Sequence, residues 1–314
     1  AGYILKGWSY SSRLEILMIG LPFDDVTVAY FDDESWWFAD SKFKRTGIMS
    51  TYNSYDRYNT FPFISRWHEK DNSWEYYYSN ESISIESIDI NSILRVGGFM
   101  YFGTMSGLLY LDLYNRDWNL ISTVNGLNDA AIWDIVENDG SIYVATSNGI
   151  NEISTTTHSI IPNKEGSIGA LGKISIFDLE SDSAYLYVAS SVGLFKIGLE
   201  DKNIKTLSEK VFRKISLEGE SVMGINNKLW SINYPNEDVY IDSNIQSFDI
   251  CGSFIWLSNK NGLSLMDLDS SEIWEYDVKD GLPGNKIYEV NCDDNWAWFL
   301  TNKGMAFYNW SKYH

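Results

Sequence analysis

Internal repetition constrains this chain more than any other feature. Residues 125–153, NGLNDAAIWDIVENDGSIYVATSNGINEI, align without a gap on residues 280–308, DGLPGNKIYEVNCDDNWAWFLTNKGMAFY, at an offset of 155. Gly126, Leu127, Ile132, Tyr143, Thr146 and Gly149 fall on Gly281, Leu282, Ile287, Trp298, Thr301 and Gly304. A third copy starts at Gly20, placing Val26 on Ile132 and Trp37 on Tyr143. The second half of the unit is compact: an aromatic, apolar or small residues, a Thr, Ser or Asn, and a Gly six residues after the aromatic. It recurs from Tyr101, Tyr143, Tyr187, Trp256 and Trp298, at spacings of 42, 44, 69 and 42 residues, with 64 from Trp37 to Tyr101. A chain that repeats one short unit buries each copy against the next instead of folding around a single centre, and a period in the low forties accommodates four short strands.

One unit read in detail agrees. Ile132–Val136 is a strand-like apolar stretch, Asn138-Asp139-Gly140 is a hairpin signal, and Ile142–Ala145 is apolar throughout, as for a strand covered on both faces. A Thr-x-x-Gly step then turns the chain into Ile150–Ile153. An outer strand carrying Trp74, Trp118 or Trp274 follows in three of the units. Strand groups begin near Val26, Ile88, Ala130, Ile174, Phe212, Ile245 and Lys286, which makes seven; the long gap before Trp256 holds a degenerate unit, FRKISLEG, SVMGI, KLWSI and DVYID. The last unit lacks an outer strand, while Arg13–Ile19 forms an orphan strand before the first Gly-Leu-Pro. The expectation is a single all-β domain over 1–314: a seven-bladed β-propeller of four-stranded antiparallel blades, closed by the N-terminal strand completing the last blade, with eight or six blades as alternatives. Blade 1 carries a long insertion, about 41–73.

Composition narrows function. With 24 Lys and Arg against 43 Asp and Glu the net charge is −19, which excludes polyanion binding as a main function, so neither nucleic acid nor an anionic membrane surface is an expected partner. No apolar run reaches the ~20 residues of a spanning helix, and no secretory signal is read. Aromatic residues make up 16% of the chain. Three His and two Cys leave little for zinc or Cys/His chemistry, and Cys251 and Cys292, at the ends of equivalent strands in neighbouring units, read as two small buried thiols, with a contact between them as the alternative.

The GLPxNxI segment at Gly281, an acidic turn, an aromatic strand and T-x-x-G-apolar together resemble the two-component regulator propeller repeat. The resemblance covers most of the chain, best over Gly281–Tyr308. It departs at Phe43, where the repeat Gly belongs, and in the Phe212 unit, which lacks the motif. It implies a sensor-type propeller of the kind found in hybrid histidine kinases and in bacterial surface and secretion-associated proteins, located in the periplasm or at the cell surface. The repeat is structural and transfers no catalytic residue; no kinase segment follows it here.

Ligands of such rings are expected at loops on one end. Loops entering the innermost strands contribute Phe23, Asp24, Asn128, Asp129 and Asn285; turns after the second strands contribute Ser147, Asn148, Asn259, Lys260, Asn302 and Lys303. Turn preference alone also explains these residue types. The insertion interleaves Tyr52, Tyr55, Tyr58, Phe61, Phe63 and Trp67 with Lys42, Lys44, Arg45, Arg57 and Arg66. Aromatics and Arg are favoured interface anchors, and long loops on rigid scaffolds carry binding function or fold locally as an elaborated hairpin. The residues expected to bind a ligand or partner are therefore Tyr52, Tyr55, Arg57, Tyr58, Phe61, Trp67, Asp129, Asn148, Asn285 and Lys303. Tyr76–Tyr78 are expected to pack between blades, with a sugar-stacking platform as the alternative. Asp32-Asp33 and Asp293-Asp294 recur at equivalent turns, which argues for turn chemistry; no cofactor is expected, with calcium on dispersed loop oxygens as the alternative. The leading function is non-enzymatic recognition of a protein partner or glycan by a rigid scaffold, and whether the chain is one subunit of something larger stays open at this point. The alternative is a channel-mouth enzyme of lyase or glycoside hydrolase type using acidic residues, with or without a metal.

Overall fold

The computed structural model describes residues 14–17, 21, 25–41, 64–78, 89–162, 168–219, 221–226, 228–232, 238–240, 245–293 and 295–313. Strand β1 (Leu14–Leu17) precedes seven groups of strands. Blade 1 holds β2 (Val28–Phe31), β3 (Ser35–Ala39), β4 (Ile64–His68) and β5 (Ser73–Tyr77); blade 2 holds β6 (Ile90–Val96), β7 (Phe99–Thr104), β8 (Gly107–Asp112) and β9 (Trp118–Ile121). Blade 3 holds β10 (Ile132–Asn138), β11 (Ser141–Thr146), β12 (Gly149–Ser154) and β13 (Ile160–Ile161); blade 4 holds β14 (Ile176–Ser181), β15 (Tyr185–Ser190), β16 (Gly193–Gly198) and β17 (Ile204–Ser208). Blade 5, the degenerate unit, holds β18 (Lys214–Glu218), β19 (Ser221–Ile225), β20 (Leu229–Ser231) and β21 (Asp238–Tyr240). Blade 6 holds β22 (Phe248–Cys251), β23 (Phe254–Asn259), β24 (Gly262–Asp267) and β25 (Ile273–Tyr276); blade 7 holds β26 (Ile287–Cys292), β27 (Trp296–Thr301) and β28 (Gly304–Asn309). Each sheet is antiparallel, and β1 pairs with β28 from Leu14↔Tyr308 to Leu17↔Met305, so the N-terminal strand completes blade 7. The fold is a seven-bladed propeller, as the repeats predict.

The repeat motif has a simple mechanical role. In Thr104, Thr146 and Thr301 the hydroxyl accepts a hydrogen bond from the backbone N–H two residues on and donates to the Gly carbonyl three residues on, at 2.7–3.1 Å; Ser190 does the same. The Gly takes a left-handed φ, +94° at Gly149 and +117° at Gly304, which a side chain would strain. Asp32, Asp182 and Asp293 each accept two backbone N–H bonds at the first hairpin turn of their blades, which is the turn chemistry read from the recurring acids.

Seven apolar clusters hold the ring, one at each blade–blade junction. Trp37 and Phe102 meet between blades 1 and 2, Trp256 and Phe299 between 6 and 7, and Trp36 meets Trp298 at 5.4 Å between 7 and 1. Tyr77 lies half-buried against Trp37 and Trp118, while Tyr76 and Tyr78 are exposed.

The cysteines correct the expectation of two thiols. Cys251 and Cys292, at the ends of β22 and β26, form a disulfide with a Cα–Cα distance of 6.0 Å, joining the innermost strands of blades 6 and 7. The repeat already placed them at equivalent strand ends of neighbouring units, 41 residues apart; the ring sets two first strands side by side and brings the two sulfurs within bonding distance. Trp310 and Tyr313, on the short helix α1 (Trp310–Tyr313), pack on the same cluster. Replacing both cysteines by Ser is expected to lower stability by about 4 kcal/mol on the chain-entropy argument for a loop of this length. Urea unfolding with and without reductant checks this: the wild type should shift on reduction and the double variant should not.

Candidate functional site

The first strands of consecutive blades lie against one another around the axis, yet they are not paired into a common sheet. Their free polar edges are satisfied by latches at every junction. Ser41 Oγ donates to Asn91 Oδ1 at 2.7 Å, and Asn91 Nδ2 donates to the Ile132 carbonyl at 2.7 Å. The Leu179 N–H donates to Asp134 at 2.9 Å and the Ile215 N–H to Asp178 at 2.7 Å. Asp249 accepts from Ser216 Oγ at 2.7 Å and from the Cys292 N–H at 2.9 Å. The circle closes from blade 7 to blade 1, where Val26 N–H donates to the Thr301 carbonyl at 3.1 Å and the Tyr288 hydroxyl donates to Asp25. A register shift before Asp134, Asp178 and Glu289 recurs in β10, β14 and β26; a bulge of this kind re-aims a side chain, here for Asp134 and Asp178 toward the next blade.

One cation sits among these acids. Lys214 Nζ lies 3.5 Å from the Val290 carbonyl, reaching from blade 5 to blade 7, which only the ring axis permits. Burial opposes its charge, but Glu289, Asp249, Asp178 and Glu180 outweigh that and hold the ammonium above its ordinary value. Burial raises Asp178, reinforced by Asp134, and raises Asp249 against the pull of Lys214. Glu180 is pushed up to about 8, first by burial and then by Asp249 and Asp134. These side chains are half-buried, enclosed by the strands of neighbouring blades. The unfolded chain ionises Glu180 near 4.5 while the folded ring holds its proton to about 8, so this group costs stability progressively as pH rises through that window. Glu180→Gln should flatten the melting-temperature profile between those limits. Lys214→Met should lower stability at neutral pH, because it removes the cation that faces Glu289, Asp249, Asp178 and Glu180; thermal and urea unfolding against pH check both.

The ring face opposite the disulfide carries a cleft of ≈ 740 Å³ between blades 6 and 7. Gln246, Ser258, Asn259 and Lys260 form one wall; Val278, Gly284, Asn285, Lys286, Ile287, Asn302 and Lys303 form the rest. Several of its polar groups are braced: Asn285 Oδ1 accepts from the Val278 N–H at 3.1 Å, Asn259 Nδ2 donates to Ser264 Oγ at 2.6 Å, and Ser258 Oγ accepts from the Gln246 and Ser247 N–H groups. Lys286 Nζ stands 4.8 Å above the Tyr288 ring. Asn302 Oδ1 is buried and accepts no hydrogen bond. Gly284 runs so close to it that a Cβ there would lie 2.2 Å from this oxygen.

The structure brings Asn285 and Lys303 into this cleft and places Asp129, Asn148 and Trp67 elsewhere. Asn148 donates to the Asn128 carbonyl at 3.2 Å, and Asp129 accepts from the Ala131 N–H at 2.8 Å; both brace the loops of blade 3. Trp67 lies in β4, buried between blades 7 and 1 and stacked on Trp74, so residues 64–73 of the expected insertion belong to the blade itself. Tyr52, Tyr55, Arg57, Tyr58 and Phe61 lie outside the described residues. Sequence reading missed Gln246 and Lys286; Lys286 sits one residue beyond Asn285, and the meeting of blade 6 and blade 7 loops was the signal lacking.

Fold and face together define a closed seven-bladed propeller with a polar end-face cleft. No family model matches the chain, and no curated protein matches it. Among solved structures it is similar to the extracellular domain of a hybrid two-component system from B. thetaiotaomicron, with a TM-score of 0.68 at 17% identity, covering 94% of this chain and 41% of that one. It is similar to virginiamycin B lyase from Staphylococcus aureus, with a TM-score of 0.65 at 15% identity, covering 94% and 97%. It is also similar to PorZ, a surface component of the type-IX secretion system of Porphyromonas gingivalis, with a TM-score of 0.61 at 11% identity, covering 93% and 37%. The chain thus spans less than half the length of the two-component and PorZ chains; at these identities the likeness is one of fold. No helix among the described residues is long and apolar enough to cross a membrane.

Proposed function

We propose that this chain is a non-enzymatic recognition ring working in the periplasm or at the cell surface, related to sensor propellers of the two-component type, which takes a glycan or protein partner on the face bearing the blade 6–blade 7 cleft. The observation that carries the reading is the cleft's preformed polar lining, whose two walls belong to blades tied by a disulfide and by the Asp249 latch. A site held this way loses little freedom when it binds. The disulfide supports an oxidising compartment, and the extracellular two-component domain of the same fold agrees with that location. Support for recognition comes from the acids: of the channel carboxylates, Asp134, Asp178 and Asp249 are bound to backbone N–H groups, and the described lining of the cleft, which excludes Glu180, carries no carboxylate or imidazole.

The test is capture of glycans on an array, and of protein partners from native surface fractions by cross-linking. Asn285→Trp and Lys303→Trp, at exposed positions, fill the cleft and should abolish capture while the melting temperature holds; undiminished capture would refute the cleft as the site. The basic and aromatic segment around Tyr52, Tyr55, Arg57, Tyr58 and Phe61 is proposed as a second contact. Deleting residues 51–61 should remove capture and leave the ring folded, and unchanged capture would discard that contact.

A further inference from the structure

In blades 2, 3 and 4 the turn between the third and fourth strands carries a basic residue in the left-handed region, and each time that residue reaches back to the preceding blade. Arg116, His158 and Lys202 have φ of +63°, +52° and +56°, and each N–H donates to the carbonyl four residues earlier at 2.8–2.9 Å. Arg116 pairs with Glu75 and lies 3.4 Å from the Tyr77 hydroxyl. Lys202 Nζ stands 3.7 Å from Glu152 and 3.5 Å from the Tyr143 hydroxyl. His158 spans its seam in the same way, with Nδ1 2.8 Å from the Tyr101 hydroxyl. The repeat register makes the last two struts equivalent: Tyr101 lies opposite Tyr110 in blade 2 as Tyr143 lies opposite Glu152 in blade 3. The blade 3–blade 4 strut is thus a permanent cation facing a carboxylate. At the blade 2–blade 3 seam a tyrosine stands in place of the carboxylate and a histidine in place of the lysine.

That exchange makes the seam titratable. His158 stacks on Tyr110 with ring centroids 4.7 Å apart and meets Phe99 edge-on at 4.4 Å, so the imidazole is held among aromatic groups. The titratable groups facing it are the Tyr101 and Tyr110 phenols, both raised by burial and so uncharged near neutral pH, and Asp112. Burial holds His158 below its ordinary value of 6.5 against the pull of Asp112, whose oxygens already accept from the Tyr114 and Asn115 N–H groups and from Asn115 Nδ2. In the neutral ring Nδ1 accepts from the Tyr101 hydroxyl; a proton on Nδ1 makes it a donor, and the hydroxyl has to turn round. The contact therefore has its full strength above pH 6.5 and weakens as pH falls below it. We propose that the His158 strut is an acid-sensitive joint of the ring: protonation of its imidazole loosens the outer seam between blades 2 and 3, while the Arg116–Glu75 and Lys202–Glu152 struts on either side stay closed. The joint lies on the disulfide face, away from the blade 6–blade 7 cleft, and does not depend on the recognition reading.

Proton NMR titration of the full chain reads the imidazole directly, with His158→Gln assigning its ring signal, and the midpoint should fall below 6.5. Hydrogen exchange at the Ser154 and Thr155 amides, which donate to the Ser159 and Gly140 carbonyls, reads the seam. The reference chain is His158→Lys with Tyr110→Glu, which rebuilds the blade 3–blade 4 strut at this position. The ratio of wild-type to reference exchange rate should rise at least roughly twofold between about pH 7.5 and about pH 5, since the intrinsic pH dependence of exchange is common to both chains. His158→Phe keeps the aromatic packing and cannot titrate; as a second reference it should give the same rise, so the test survives a double variant that does not fold. A midpoint at or above 6.5 means that the Tyr110 face holds the imidazolium, and it overturns the proposal. A rate ratio that stays flat with pH against the folded references overturns it as well.

Discussion

The structure depends on satisfying the inner edge of the ring. Seven first strands stand around one axis in seven separate sheets, so their inner edges are not paired into a common ladder. A buried amide without a partner is costly, and at three junctions a side-chain carboxylate supplies one. Asp134 and Asp178 accept the N–H of the following blade through the same bulge, and Asp249 does this from an unbulged strand. Blades 1 and 2 use the neutral Ser41–Asn91–Ile132 relay for the same purpose.

That solution carries an electrostatic consequence. Carboxylates used as latches accumulate around the axis, and like charges in an enclosed space resist joint ionisation. Lys214 relieves part of this by standing between blades 4, 6 and 7. Glu180, crowded by Asp249 and Asp134, answers the rest by keeping its proton. The unit that supplies the lysine is blade 5, the one that departs furthest from the repeat, so sequence degeneracy there coincides with a distinct structural duty.

Closure and the end-face cleft are linked. Blade 7 is assembled from both ends of the described chain through β1 and β28, and the disulfide ties its inner strand to blade 6 at the far face. The cleft lies between the same two blades on the other face. A covalent tie at one end of an interface limits how far the other end can open, which suits a preformed site.

The blade number, the closing strand and the turn chemistry were legible in the residues alone. Periods near forty, the Thr-x-x-Gly step and recurring turn acids are local patterns, and each of the seven strand groups read from sequence begins within three residues of an observed first strand. Asn285 and Lys303 were also visible as loop residues, because loop position follows from the repeat. What tertiary structure alone decided was which loops meet. Trp67 proved to be interblade packing, Asn148 and Asp129 loop braces, the two cysteines a bond, and Lys214 a shared counter-ion. All of these are contacts between units, and a periodic sequence specifies the unit while leaving its neighbours' side chains to be set by the geometry of the ring.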